Sequence, residues 1–277
     1  MRTWFITGAS RGFGALIAEQ ALARGDNAVA SARNPKSVVE RLGDRPNLLA
    51  VALDVTDEAQ AHAAAKVAVE RFGRIDVLVN NAGYGLLGAV EEASAKEVEA
   101  LYRTNVFGLL AVIRAVLPHM RRQRSGRILN FSSIGGYRSA AGFGVYCSTK
   151  FAVEGLSEAL ADELRPLGIH VTVVEPGYFR TDFLDASSLA VSPAEIADYA
   201  DTAGQVRSHA AGLSHAQPGD PLRLAQVLAS FVDEPAPPVR LPLGSDAVAA
   251  ILSKHEADAE LVAKWRPVSI STDFPSA

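Results

Sequence analysis

Short apolar runs alternate with helix-period stretches along this chain, and no other feature narrows its fold as much. Trp4–Ile6, Asn27–Ala32, Leu48–Leu53, Ile75–Val79, Arg127–Phe131 and His170–Val174 read as strands, with Val239–Leu243 as a candidate seventh. Ala15–Arg24, Asp57–Phe72, Ala95–Met120 and Thr149–Leu164 read as helices, the third bent near Gly108 and Pro118. Asp57 is placed to cap its helix, and Gly25 and Gly73 to end theirs. The strand runs are apolar throughout instead of alternating, which is what a parallel sheet covered on both faces requires. Strand and helix in this succession predict an α/β fold, a doubly wound, mostly parallel sheet with helices on both faces.

No linker cuts the 277 residues, so a single domain is expected over 1–277. The stretch from about 182 to 220 carries turn residues and only weak periodicity, and reads as an insertion or lid. Apolar residues at 48% supply a core, and a net charge of −4 argues against nucleic acid as the partner. One cysteine, Cys147, forbids an intrachain disulfide and suits a reducing, cytoplasmic setting. The first apolar stretch is broken by Gly8 too soon for a signal peptide, and no apolar run reaches the ~18 residues of a membrane span. The six histidines are scattered, so no metal site is expected.

Thr7-Gly8-Ala9-Ser10-Arg11-Gly12-Phe13-Gly14 lies between the first strand and the first helix. Glycines there permit a tight turn and close approach of a pyrophosphate, while the helix N-terminus offers free N–H groups and a positive dipole end. The spacing is G-x-x-x-G-x-G, not G-x-G-x-x-G. Gly8-Ala9-Ser10-Arg11-Gly12 also fits the G-x-S-x-G nucleophile elbow of hydrolases. That elbow stands in mid-sheet, whereas one strand alone precedes this one, and no His-Gly-Gly segment follows. An acid near the end of the second strand would bind a ribose 2′-hydroxyl. This chain has Arg33 there, with Arg11 in reach from the turn, and two guanidiniums favour a 2′-phosphate, hence NADP.

Tyr146 and Lys150 are spaced i, i+4, on one face of a helix, and Ser133 follows the fifth strand at the sheet's carboxyl end. Carbonyl reduction needs a proton donor beside the carbonyl. Free tyrosine has a pKa of about 10. A cation ~4 Å away is worth ~4 kcal/mol at an effective dielectric of ~20, enough to bring the phenol to ~7. Lys150 is therefore expected to activate Tyr146.

Thr7-Gly8…Gly12…Gly14, Asp54-Val55, Asn80-Asn81-Ala82-Gly83, Asn105, Ser133, Tyr146…Lys150 and Pro176-Gly177…Thr181 follow one another in an order and spacing that resembles the short-chain dehydrogenase/reductase family over roughly 3–182. The resemblance implies a seven-stranded Rossmann-type sheet binding NAD(P). It implies Tyr146 as general acid/base, Ser133 polarising the substrate oxygen, and Lys150 lowering the tyrosine pKa and holding the nicotinamide ribose. Asn105 would anchor a water joining Lys150 to solvent. Asp54 and Val55 would flank the adenine. Asn81, Ala82 and Gly83 would line the cofactor, and Pro176, Gly177, Phe179 and Thr181 would lie near the carboxamide, with Ser10, Arg11, Gly12 and Phe13 at the phosphates. Ser132 competes with Ser133, which has the family's spacing to Tyr146.

Plainer readings stand beside these. Asn105 fits a polar group satisfied within an apolar helix, Asp54 a turn leading into a helix, Cys147 a buried filler, and Arg121–Arg127 a solvated loop. Tyr84, Phe143, Tyr178, Phe179, Phe183 and Leu184 suggest an apolar pocket for a sizeable carbonyl compound. The long helices over Ala95–Met120 and Thr149–Leu164 would, by the family resemblance, build a homodimer or homotetramer. The expected function is NADP(H)-dependent reduction of a ketone or aldehyde, or oxidation of a secondary alcohol. A catalytically silent NADP-binding sensor or scaffold is the alternative, and intact Ser133, Tyr146 and Lys150 speak against it.

Overall fold

The computed structural model describes residues 1–274, apart from the side chains of Ala211 and Leu213. The first half runs β1 (Thr3–Thr7), α1 (Gly12–Ala23), β2 (Asn27–Ala32), α2 (Lys36–Leu42), β3 (Leu48–Ala52), α3 (Glu58–Phe72), β4 (Val77–Asn80), β5 (Gly85–Leu87) and α4 (Ala95–Tyr102). A π-helical turn, Arg103–Gly108, leads on into α5 (Leu109–Gln123). There follow β6 (Gly126–Phe131), α6 (Gly144–Leu164), β7 (Ile169–Pro176), β8 (Leu189–Val191), α7 (Gln205–Leu213), α8 (Pro221–Phe231), β9 (Arg240–Leu243) and α9 (Ser245–Ile270).

Seven strands form one fully parallel sheet in the order β3-β2-β1-β4-β6-β7-β9. Successive side chains of a strand point to opposite faces, and the two apolar layers divide accordingly. Phe5, Val29, Leu78, Ile128 and Val171 face α3, α5 and α6. Trp4, Ile6, Ala28, Val79 and Leu129 face α1, α2 and α8. The buried side of α1 is Gly14, Ala15, Ile17, Ala18, Ala21 and Leu22, and its four small residues let the helix lie close to the sheet and to α8. Local signals fix the ends. Asp57 accepts from Ala59 N and Gln60 N at the start of α3, and Gly73 closes that helix in the left-handed region.

The doubly wound sheet expected from the sequence is present, and Arg240–Leu243 is its seventh strand. Other elements carry no strong sequence signal. The three-residue strands β5 and β8 pair parallel, Gly85 to Leu189, as a separate small sheet. The turn-rich region after Asp182 holds β8, a second π turn at Ala200–Gly204 and α7. The basic run is not a loop throughout: Arg121–Gln123 complete α5, and Arg127 enters β6 and donates to the carbonyls of Val232 and Glu234. Contrary to the expectation of no spanning segment, the continuous helix Ala95–Gln123 is long and apolar enough to cross a membrane on length and composition alone. Its Leu109, Val112, Ile113, Val116 and Met120 are buried in the core with Phe5, Leu78 and Ile128.

Candidate active site

Strand order reverses between β1 and β4, so the connections leaving them diverge and open a crevice at their carboxyl ends. The crevice is a cleft of about 760 Å³. The glycine turn lines it with Gly8, Ser10, Arg11, Gly12 and Phe13. Gly8 and Gly12 take φ of +67° and +55°, and a Cβ on Gly12 would have no heavy atom within 4 Å. The main chain is thus bared to the cleft at the start of α1, the arrangement that accepts a phosphate. Gly14 lies outside the cleft lining, and its role is packing: a Cβ there would sit 2.4 Å from the Gly8 carbonyl oxygen. Thr7 joins this turn to the next. Its Oγ1 accepts from the amides of Asn81 and Ala82 at 3.0 Å, while Asn81 Nδ2 donates to Thr7 O at 2.9 Å. Asn81, Ala82 and Gly83 line the cleft as expected.

Arg33 stands exposed at the end of β2, making no hydrogen bond or ion pair to the described residues. Arg11 departs from the expectation of a shared phosphate grip. Its Nη2 donates to Ser187 O at 2.6 Å and Ser188 Oγ at 3.0 Å, tying the glycine turn to the lid. Asp54 and Val55 line the cleft. The Asp54 carboxylate is engaged in a turn, accepting from Thr56 Oγ1 at 2.7 Å and Thr56 N at 2.9 Å, and these bonds hold it below the usual carboxylate range.

Tyr146 and Lys150 emerge from one face of α6, one turn apart, with Ser133 opposite at the end of β6. Ser133 Oγ accepts from Gly135 N at 3.1 Å. Lys150 Nζ lies 5.8 Å from the Tyr146 ring centre and donates to Phe131 O at 2.9 Å. Burial raises the Tyr146 phenol well above 10, against the downward pull of the Ser133 hydroxyl, and burial lowers the Lys150 amine to about 8. Asn105 is fully satisfied and does not line the cleft: its Oδ1 accepts from Tyr84 N at 3.1 Å, and its Nδ2 donates to Tyr84 O at 2.9 Å and Thr149 Oγ1 at 3.2 Å. The π turn brings it there, pinning the loop after β4 against α6. Cys147 is buried beside Gly135, and burial pushes its thiol up.

Pro176, Gly177, Phe179 and Thr181 close the cleft below β7. Asp246, in the first turn of α9, is a residue the sequence did not single out. Its Oδ2 accepts from Tyr178 N at 2.7 Å, and a Cβ on Gly177 would lie 2.2 Å from its Oδ1. Phe13 packs 5.5 Å edge-on to Phe179. Tyr146 is flanked by Phe183 at 5.6 Å and Phe143 at 6.1 Å, and Tyr84, Tyr178 and Leu184 complete the apolar wall. The lid is fastened mainly by Glu92, which accepts from Ala89 N at 2.7 Å, Ile196 N at 2.8 Å and the Arg207 guanidinium. Those bonds hold its carboxyl at about 2. Asp182, Asp185 and His215 bring ligand-type atoms within 4.8 Å of one another at the lid's edge. Ser214 Oγ donates to Asp185 at 2.7 Å there.

The family model for short chain dehydrogenase matches residues 2–191. The chain belongs to the short-chain dehydrogenase/reductase family of oxidoreductases. It is 39% identical to the oxidoreductase BOA17 of Botryotinia fuckeliana, over 98% of this chain and 99% of that one. A crystal structure of a short-chain dehydrogenase from Streptomyces avermitilis superposes with a TM-score of 0.90 at 40% identity, covering 99% and 100% of the two chains. A family member from Burkholderia phymatum in complex with NAD has a TM-score of 0.81 at 27% identity, covering 94% of each chain. ElxO with NADP bound has 0.75 at 26%, covering 90% of this chain and 99% of its own.

Proposed function

We propose that this oxidoreductase uses NADP(H) to reduce a sizeable apolar ketone or aldehyde, or in reverse to oxidise the secondary alcohol. The observation that carries this reading is the convergence of Ser133, Tyr146 and Lys150 on the cleft that the bared glycine turn opens. The residues fit the nucleotide: φ-positive glycines leave room for a pyrophosphate, and Arg33, unpaired and with no acid at the end of β2, suits a 2′-phosphate. When bound, the nicotinamide supplies or takes up the hydride. Tyr146 Oη gives its proton to the carbonyl oxygen as charge develops there, and Ser133 Oγ hydrogen-bonds the same oxygen. Burial raises the phenol, so the resting protein holds the proton that reduction requires. Lys150 keeps a cation behind the tyrosine that offsets the phenolate's charge once the proton leaves. Phe143, Phe183 and Leu184 exclude water from that exchange.

Phe107 and Phe151 are exposed on the π turn and on α6, which supports association of two or more copies through these helices. The test of cofactor choice is a fluorescence titration with NADPH and, separately, NADH. Tight NADPH and much weaker NADH binding is the expected result. A preference for NADH would overturn the 2′-phosphate assignment, and binding of neither would overturn the reading of the glycine turn.

A further inference from the structure

Directly behind Ser133 lies a buried cluster of charge that the chemistry above does not use. Arg240, on β9, donates through Nη1 to Glu154 Oε2 at 2.6 Å and to Glu175 Oε1 at 2.7 Å, and through Nη2 to Glu158 Oε1 at 2.8 Å. The side chains of Glu154 and Glu175 are 4% and 1% exposed. Glu158 is largely solvated. Two buried carboxylates thus share one guanidinium, which leaves one of their two negative charges uncompensated, and desolvation makes that costly. The cluster favours holding a proton.

The other oxygen of Glu154 shows where that proton points. Glu154 Oε1 and Ser132 Oγ are both buried, and neither has a hydrogen-bond partner. They face one another across Gly136: a Cβ on that glycine would lie 2.3 Å from Ser132 Oγ and 2.9 Å from Glu154 Oε1. Ser132 and Gly136 bracket the turn that carries Ser133, whose Oγ is fixed by Gly135 N. Glu154 is also one helical turn beyond Lys150, whose amine its charge raises.

We propose that Glu154 is a positioning residue: its carboxyl takes and releases a proton against the Ser132 hydroxyl, and this sets the turn that aims Ser133 at the cleft. With the proton on Glu154, Oε1–H donates to Ser132 Oγ. With it gone, Ser132 O–H donates to the carboxylate instead. The reversal changes the donor on the main-chain turn between Ser132 and Gly136. Burial and the nearness of Glu175 raise the Glu154 carboxyl well above its ordinary range, against the pull of the Ser132 hydroxyl and Arg240. The charged and titratable groups facing it are Lys150 and Glu158 along α6, Glu175 on β7 and Arg240 on β9. Beyond Arg240, Tyr137 stacks on the guanidinium at 5.4 Å and meets His255 of α9.

The role assigned to Ser133 rests on the reductase reading, but the main test does not. In the full-length labelled protein, the amide resonances of Gly135 and Gly136 are followed by NMR from about pH 5 to 9. Both are expected to move through one inflection in the wild type and in His255→Gln. They should lose it in Glu154→Gln and in Ser132→Ala, which leaves the Arg240 cluster intact. An inflection that survives in either of the last two, or vanishes in His255→Gln, overturns the proposal. A second readout is NADPH-dependent reduction of acetophenone: kcat should lose the same inflection in Glu154→Gln while KM for NADPH stays unchanged. Should no ketone be reduced, the reductase reading fails and the amide titration still decides this one.

Discussion

The two ends of the cleft are built by different means. The nucleotide end is fixed by main-chain geometry: left-handed glycines, a Cβ-free contact between Gly14 and Gly8, and amides of Asn81 and Ala82 on Thr7. The lid end is fixed by a few side chains reaching across the chain, chiefly Glu92 to Ile196 and Arg207, Arg11 to Ser187 and Ser188, and Asp246 beneath Tyr178. A shape made by backbone constraints tolerates little change in its glycines. A shape made by single side chains can be refitted to a new ligand one residue at a time.

Four substitutions separate the two ends. Tyr146→Phe removes the proton donor common to both, so kcat should fall by about 10²–10⁴ while NADPH titrates as in the wild type; unchanged turnover would remove Tyr146 from the chemistry. Arg33→Ala acts on the nucleotide end alone. Loss of a charge-assisted bond, about 1.5–3 kcal/mol, should weaken NADPH by roughly 10–100-fold and leave NADH nearly untouched. Equal losses for the two nucleotides would place Arg33 away from the 2′-phosphate.

Glu92→Gln acts on the lid alone, and limited proteolysis between residues 182 and 217 should quicken severalfold with nucleotide affinity preserved. The pH dependence follows from a carboxyl lowered from 4.5 to about 2. Its contribution to stability is complete above 4.5 and fades only as pH falls from there toward 2. The gap in Tm between wild type and Glu92→Gln should therefore be constant from pH 7 to about 5 and narrow on further acidification. Arg11→Ala should have the smallest effect, a modest gain in protease sensitivity at 187–188. A loss of NADPH affinity rivalling that of Arg33→Ala would return Arg11 to the nucleotide end.

This difference in construction explains what could be read in advance. Features imposed by local backbone need were legible: the seven sheet strands, the last as a candidate, the caps at Asp57 and Gly73, the glycine turn, and Tyr146 one turn before Lys150. Features made by pairing distant residues were not. β5 and β8 are three residues each, too short to show a period, and meet only because the chain folds back. Asp246 looks like any acid near a helix start until Gly177 is found against it. Nor does anything in the spacing from Tyr146 to Lys150 say that Phe131 O takes the ammonium.

The sheet order has a consequence for how the protein reaches its native state. β1 meets β2 early along the chain, but its other neighbour is β4, some seventy residues downstream, with Trp4 opposite Val77. The crevice between them exists only after that distant pairing is complete. Closing so long a loop is slow compared with forming a local hairpin. A chain in which β1 and β4 have not yet paired has a glycine turn but no opposing Asn81–Gly83 wall, and so has nothing to grip a dinucleotide. Added nucleotide should leave the early phases of refolding at their own pace and act late, by trapping the finished sheet and slowing its reopening.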